Sequence, residues 1–115
     1  MTERQQFLDD VIITALEGGI NEWAVCSAYE HTGVPARAQI QETDYEGKPD
    51  GPLMEVDRAL IERGIKEIVA GESNLNSNLT SYVILADRAS DAGNVDAAVA
   101  DAIVQVGLFG NLVYG

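Results

Sequence analysis

The stretch from Asp91 to Gly115, DAGNVDAAVADAIVQVGLFGNLVYG, constrains this chain more than any other. It carries the longest apolar periodicity in the sequence. Asn94 and Asp96 are good N-cap residues and follow the turn signal Ala92-Gly93. From there Val95, Val99, Ala102, Ile103 and Val106 recur at steps of three and four, so they share one helical face. Asp96 and Asp101 fall off that face and are expected in solvent, Asp96 in the first turn where the helix dipole favours negative charge. Gly107 reads as the helix stop. Beyond it, Leu108, Phe109, Leu112, Val113 and Tyr114 crowd large apolar groups into a few positions. Surfaces this apolar are seldom left in water. The segment therefore either docks into the core, the preferred reading, or forms an interface, with Leu108, Phe109 and Tyr114 as its candidates.

The other elements are expected to pack on this helix. Helix 1 is expected from Thr2 to about Glu17, with Phe7, Leu8, Val11, Ile12, Ala15 and Leu16 as its apolar stripe and Asp9 on the outer surface. Gly18-Gly19 ends it, one of the pair supplying a left-handed cap. A phosphate-cradling role is disfavoured, because that use needs glycines after a strand and before a helix. Trp23, Val25, Ser27 and Tyr29 alternate with smaller residues and read as one face of a strand. Thr32-Gly33-Val34-Pro35 is a turn, and residues 37–43 read as a second strand. Residues 44–52 form a loop or hairpin tip, and 53–56 a short third strand.

Asp57 caps a helix from Arg58 to about Ala70. Leu60, Ile61, Ile65, Ile68 and Val69 face the core, and Glu62 and Lys66 are spaced as an i, i+4 pair. Gly64, in mid-helix, marks close packing against another element. A third helix starts near Asn76 or Ser77 and ends near Asp91, with Leu79, Tyr82, Val83, Leu85, Ala86 and Ala89 as its stripe. The fold class is α+β: an N-terminal helix, a small antiparallel sheet of two to three strands, then three C-terminal helices. With 115 residues, the chain is expected to form a single domain.

Charge narrows the functional classes. Nineteen acids against seven bases leave a net charge of −12. No basic patch is available to displace counterions from nucleic-acid phosphates, so direct phosphate binding is not expected. Anionic membrane surfaces are disfavoured on the same ground, and no apolar run is long enough to span a bilayer. The start Met-Thr-Glu-Arg-Gln-Gln lacks a basic-then-apolar leader, and the single cysteine, Cys26, cannot form an internal disulfide. Both point to a cytoplasmic protein.

Catalytic and metal constellations are not evident. One His and one Cys cannot build a zinc site. An EF-hand reading of residues 87–98 fails, because Ala89, Ala92 and Ala98 stand where the loop needs an oxygen ligand, glycine and glutamate. Cys26 and His31 lie five apart on the expected strand and so face opposite ways, and Cys26 reads as an inert core residue. No cofactor is implied. The best candidate for a binding surface is Trp23, Tyr29, His31 and Arg37. It joins aromatics, one of the few cations and the only His on neighbouring strands, the residue types that hot spots and stacking sites use. The opposing reading, preferred because large aromatics are mostly buried, makes Trp23 and Tyr29 core residues and Arg37 a solvated one.

Three segments carry a family resemblance: Leu16-Glu17-Gly18-Gly19-Ile20 with Trp23 after it, the helix following Asp57, and Asp91-Ala92-Gly93-Asn94-Val95-Asp96 continuing through Val104-Gln105-Val106-Gly107-Leu108-Phe109-Gly110 to Val113-Tyr114-Gly115. In these the chain resembles a family of small acidic proteins of actinobacterial phages and prophages. Residues 32–52 match that pattern poorly. The resemblance implies a small accessory protein made in the bacterial cytoplasm; it transfers no activity. The leading expectation is a non-enzymatic protein that binds a host or phage macromolecule in a regulatory or anti-defence role. The alternatives are an oligomer that sequesters a nucleotide-type signal and, last, a small enzyme.

Overall fold

A computed structural model describes residues 1–30 and 35–115. In chain order it contains α1 (Glu3–Thr14), a π-helical turn (Ala15–Gly19), β1 (Ala24–Glu30), β2 (Arg37–Glu42), β3 (Met54–Val56), α2 (Arg58–Val69), α3 (Ser77–Ala89) and α4 (Ala97–Phe109). The expected α+β order is therefore the observed one.

Each helix begins where a short polar side chain can satisfy orphan backbone donors. Thr2 and Gln5 form a reciprocal capping box at α1. Asp57, Asn76 and Asp96 accept from the backbone N–H of Leu60, Leu79 and Val99. Such caps contribute about 1 kcal/mol each. Asp96 is thus the cap itself, not a first-turn residue. α3 ends on left-handed Ser90 and α4 on left-handed Gly110.

Two of the expected helix ends fall elsewhere, for one reason. Neither Gly18 nor Gly19 adopts a positive φ; the chain passes through them in the π turn. Gly107 does not stop α4, which continues to Phe109. These glycines serve close approach instead. A Cβ at Gly19 would lie 2.7 Å from the Ala97 carbonyl oxygen. A Cβ at Gly64 would lie 2.4 Å from the Ile103 carbonyl oxygen, and one at Gly107 would lie 2.7 Å from that of Leu60. α2 and α4 therefore cross backbone to backbone, as mid-helix Gly64 suggests. The Arg63 guanidinium reaches over the crossing and donates twice to the Gly107 carbonyl, at 2.9 and 3.1 Å.

α4 is the hub. It packs against α1, the π turn, α2 and α3. Val99, Ala100 and every residue from Ala102 to Gly107 are buried. A helix apolar on all sides needs neighbours on all sides, and the remaining elements supply them. α3 is the outlying helix: only Val83 and Ala86 of its expected stripe are buried, while Tyr82 and Leu85 are 52% and 63% exposed and Ala89 is exposed.

The sheet is antiparallel in the order β1-β2-β3. Ala24, Ala38, Ile40 and Val56 enter the core from it. The pairing runs Cys26 to Ile40 and then Ala28 to Gln39, which leaves Ser27 as the extra residue of a β-bulge. A bulge inverts the inward–outward alternation that follows it. Val25 and Tyr29 consequently lie on opposite faces, against the single face expected from spacing. Cys26 is exposed, not a core residue. The tip between β2 and β3 is organised by Asp44, whose carboxylate accepts from the backbone N–H of Glu46 and Lys48.

Two further side chains depart from expectation. Asp9 is buried, because Arg58 reaches it with two hydrogen bonds of 2.7 and 2.8 Å. Glu62 pairs with Arg4 of α1 and not with Lys66. Arg4 also holds Asp87 and Ser90, tying α1 to α2 and the end of α3. Among the described residues, no helix is long and apolar enough to cross a membrane.

Candidate functional site

The apolar C-terminal segment docks. Its anchor is Gln105, a fully buried polar residue on the hub helix. The Gln105 carbonyl oxygen accepts from the backbone N–H of Val113 and Tyr114, at 2.9 and 2.8 Å. Its amide donates to the Tyr114 carbonyl and to both oxygens of Asp101, one turn earlier. Asn74 clamps the same segment from the other side, accepting from Leu112 N–H and donating to Leu112 C=O. Leu108, Phe109 and Tyr114, the interface candidates, are partly buried against the core.

Docking brings Tyr114 onto Trp23. The rings stack with centroids 5.1 Å apart and planes 5° off parallel, and Phe109 meets Trp23 edge-on at 5.8 Å. The Tyr114 hydroxyl donates to Glu42 at the end of β2. Trp23 is fixed at its backbone as well. Its N–H donates to Ile20 C=O, and its own carbonyl accepts from Thr43 N–H. The missing side chain at Gly19 lets the π turn ride on the first turns of α4. Trp23 Nε1 then donates to Asp101 Oδ1 at 2.7 Å.

Asp101 is thereby corrected from a solvated residue to a half-buried one. Burial pushes its carboxyl above the usual carboxylate range, and Glu22 adds to the shift; the hydrogen bonds from Gln105 and Trp23 oppose it. Tyr114 is also raised, first by its hydrogen bond to Glu42, then by burial and by the charges of Glu42 and Asp50. Between these groups lies a cleft of about 340 Å³, lined by Gly19, Glu22, Trp23, Leu79, Ala98, Asp101, Ala102, Leu112, Tyr114 and Gly115. Its walls are aromatic and aliphatic and its charges are all negative. Among the described residues, no serine, cysteine or lysine lines it.

The sequence-predicted group is not assembled. Trp23 belongs to this cleft, 4% exposed. Tyr29 and Arg37 lie at the far end of the β1–β2 pair, beside a smaller cavity of about 170 Å³. Six residue steps, roughly 20 Å of extended chain at 3.3 Å each, separate Trp23 from Tyr29. Arg37 is exposed and pairs with Glu55 at 3.5 Å. His31 lies outside the described residues. Spacing did not reveal Glu22, Glu42, Asp101 and Gln105. One signal was present: Gln105 is a lone polar residue amid the apolar run of α4, with Asp101 four positions before it.

Among the described residues, no group of three His, Cys, Asp or Glu side chains is placed to hold a metal ion. The exposed Cys26 thiol donates to Ala28 C=O, and desolvation pushes its pKa up, away from the thiolate. No protein-family model matches the chain, and neither a curated protein nor a solved structure matches it.

Proposed function

We propose that this chain is a non-enzymatic binding protein that engages a positively charged protein partner. The context is an accessory role of phage or prophage type in the bacterial cytoplasm, regulatory or anti-defence. One observation carries the reading. Of the seven Lys and Arg residues, five are already engaged within the molecule: Arg4, Arg37, Lys48 and Arg58 in ion pairs, and Arg63 on the Gly107 carbonyl. Donation to a neutral carbonyl leaves the Arg63 charge in place, so the surplus of acids faces outward with Arg63, Lys66 and Arg88 to offset it, a field that attracts basic partners and repels anionic ones.

The same field disfavours a nucleotide-type ligand. In the Trp23–Tyr114 cleft its phosphates would meet Glu22 and Asp101 and, among the described residues, no cation. The test is calorimetric titration with an arginine–glycine decamer and with its glutamate–glycine counterpart, at low and high salt. Binding of the basic peptide alone, weakening steeply as salt rises, is the expected outcome. Indifference to both peptides would remove the basis of the proposal. Light scattering on the same sample gives the oligomeric state.

A further inference from the structure

We infer that the cleft between Trp23, Tyr114 and Asp101 is a receptor for an arginine side chain presented by that partner. The inference rests on the basic-partner reading and adds the place where one cation enters. Three properties of the cleft converge on a guanidinium. Its volume, about 340 Å³, is ample for one long side chain. Its walls include the partly buried ring of Tyr114, which stacks on Trp23 with one face, and an electron-rich ring attracts a cation lying near it. Its lining includes the Asp101 carboxylate, oriented by hydrogen bonds from Trp23 and Gln105.

That carboxylate still has room for a ligand. A carboxylate offers about four acceptor positions. Asp101 Oδ1 takes Trp23 and Gln105, while Oδ2 takes only the longer contact from Gln105, at 3.1 Å. Oδ2 therefore keeps a lone pair for an incoming N–H, and Glu22 stands at the same cleft as a second acceptor. A planar guanidinium can stack on a ring and donate sideways at once, which a lysine ammonium cannot. Arginine and the large aromatics are also the residues in which interface energy concentrates.

Trp23 is the chain's only tryptophan, so the site carries its own reporter. The experiment follows the single indole N–H resonance of ¹⁵N-labelled protein during titration with propylguanidinium chloride, and separately with neutral propylurea. We expect a saturable shift with the cation and none with the urea. Asp101→Asn, which keeps an oxygen for the indole N–H, should weaken binding roughly tenfold or more. Glu22→Gln, at an exposed position, should weaken it several-fold without touching the core. No shift, an equal shift with propylurea, or unchanged affinity in both variants overturns the assignment. The arginine–glycine decamer separates the two levels. If it binds wild type and Asp101→Asn alike, the basic-partner reading stands and the cleft assignment falls. If it binds neither, both fall.

Discussion

Asp101 couples four parts of the molecule through one carboxylate: the Trp23 turn, the hub helix, the docked C-terminal segment and the cleft. Its raised pKa fixes a sign. The folded state holds the Asp101 proton at pH values where the unfolded chain has released it, so stability falls as pH climbs from the ordinary carboxylate range through the raised value. Below that window the contribution is fully present. Chemical denaturation of wild type and Asp101→Asn across mildly acidic pH should show this decline in wild type only. Parallel curves would assign the shift to another group. The other decisive residue is Gly64. An alanine there gains about 1 kcal/mol of helix propensity. Its Cβ must also displace a carbonyl oxygen 2.4 Å away on α4, and overpacking of that kind costs typically 1–3 kcal/mol. Gly64→Ala is therefore expected to lower the denaturation midpoint, while a neutral or stabilising result would show that the helices separate freely.

At the scale of elements, Gln105 ties the C-terminal segment to the hub helix. Removing the amide takes a partner from the N–H of Val113 and Tyr114 and from the Asp101 carboxylate, and a group of this kind that stays buried without a partner costs about 1–3 kcal/mol. In Gln105→Ala, hydrogen exchange at residues 110–115 should quicken and Trp23 emission should shift to the red as Tyr114 leaves it. Unchanged exchange would mean that the apolar contacts suffice. This element also shows where sequence was legible. The order of helices and strands followed from apolar period and caps, since Thr2, Asp57, Asn76 and Asp96 each announce a start in residues adjacent to the element they begin. The docked ending followed from its apolar density. The candidate site did not follow, because nothing local ties Trp23 to Asp101 or to Tyr114, positions far apart in sequence. The bulge at Ser27 was equally silent, since it changes facing without changing composition. Tyr82 and Leu85 fit a helical stripe in period, yet α3 lies at the margin and turns them outward.

For the whole molecule, the excess of negative charge opposes compaction, and the cross-links of Arg4 and Arg58 only partly relieve it. The exposed pairs, Arg37 with Glu55 and Lys48 with Glu46, contribute about 0–1 kcal/mol each. Added salt screens both effects, with a Debye length of about 10 Å at 0.1 M. Because repulsion here outnumbers attraction, sodium chloride should raise the thermal midpoint over this range. A fall would mean that the internal pairs dominate. The backbone-to-backbone crossing of α2 on α4 has a consequence on another timescale. Positions 64 and 107 face each other's helix across a gap that admits no side chain, so descent with modification treats them as one joint character. A relative that enlarges either must re-seat the hub helix, and with it the turn that carries Trp23. Paired smallness at these two places would then outlast general sequence similarity and mark kinship where little else survives.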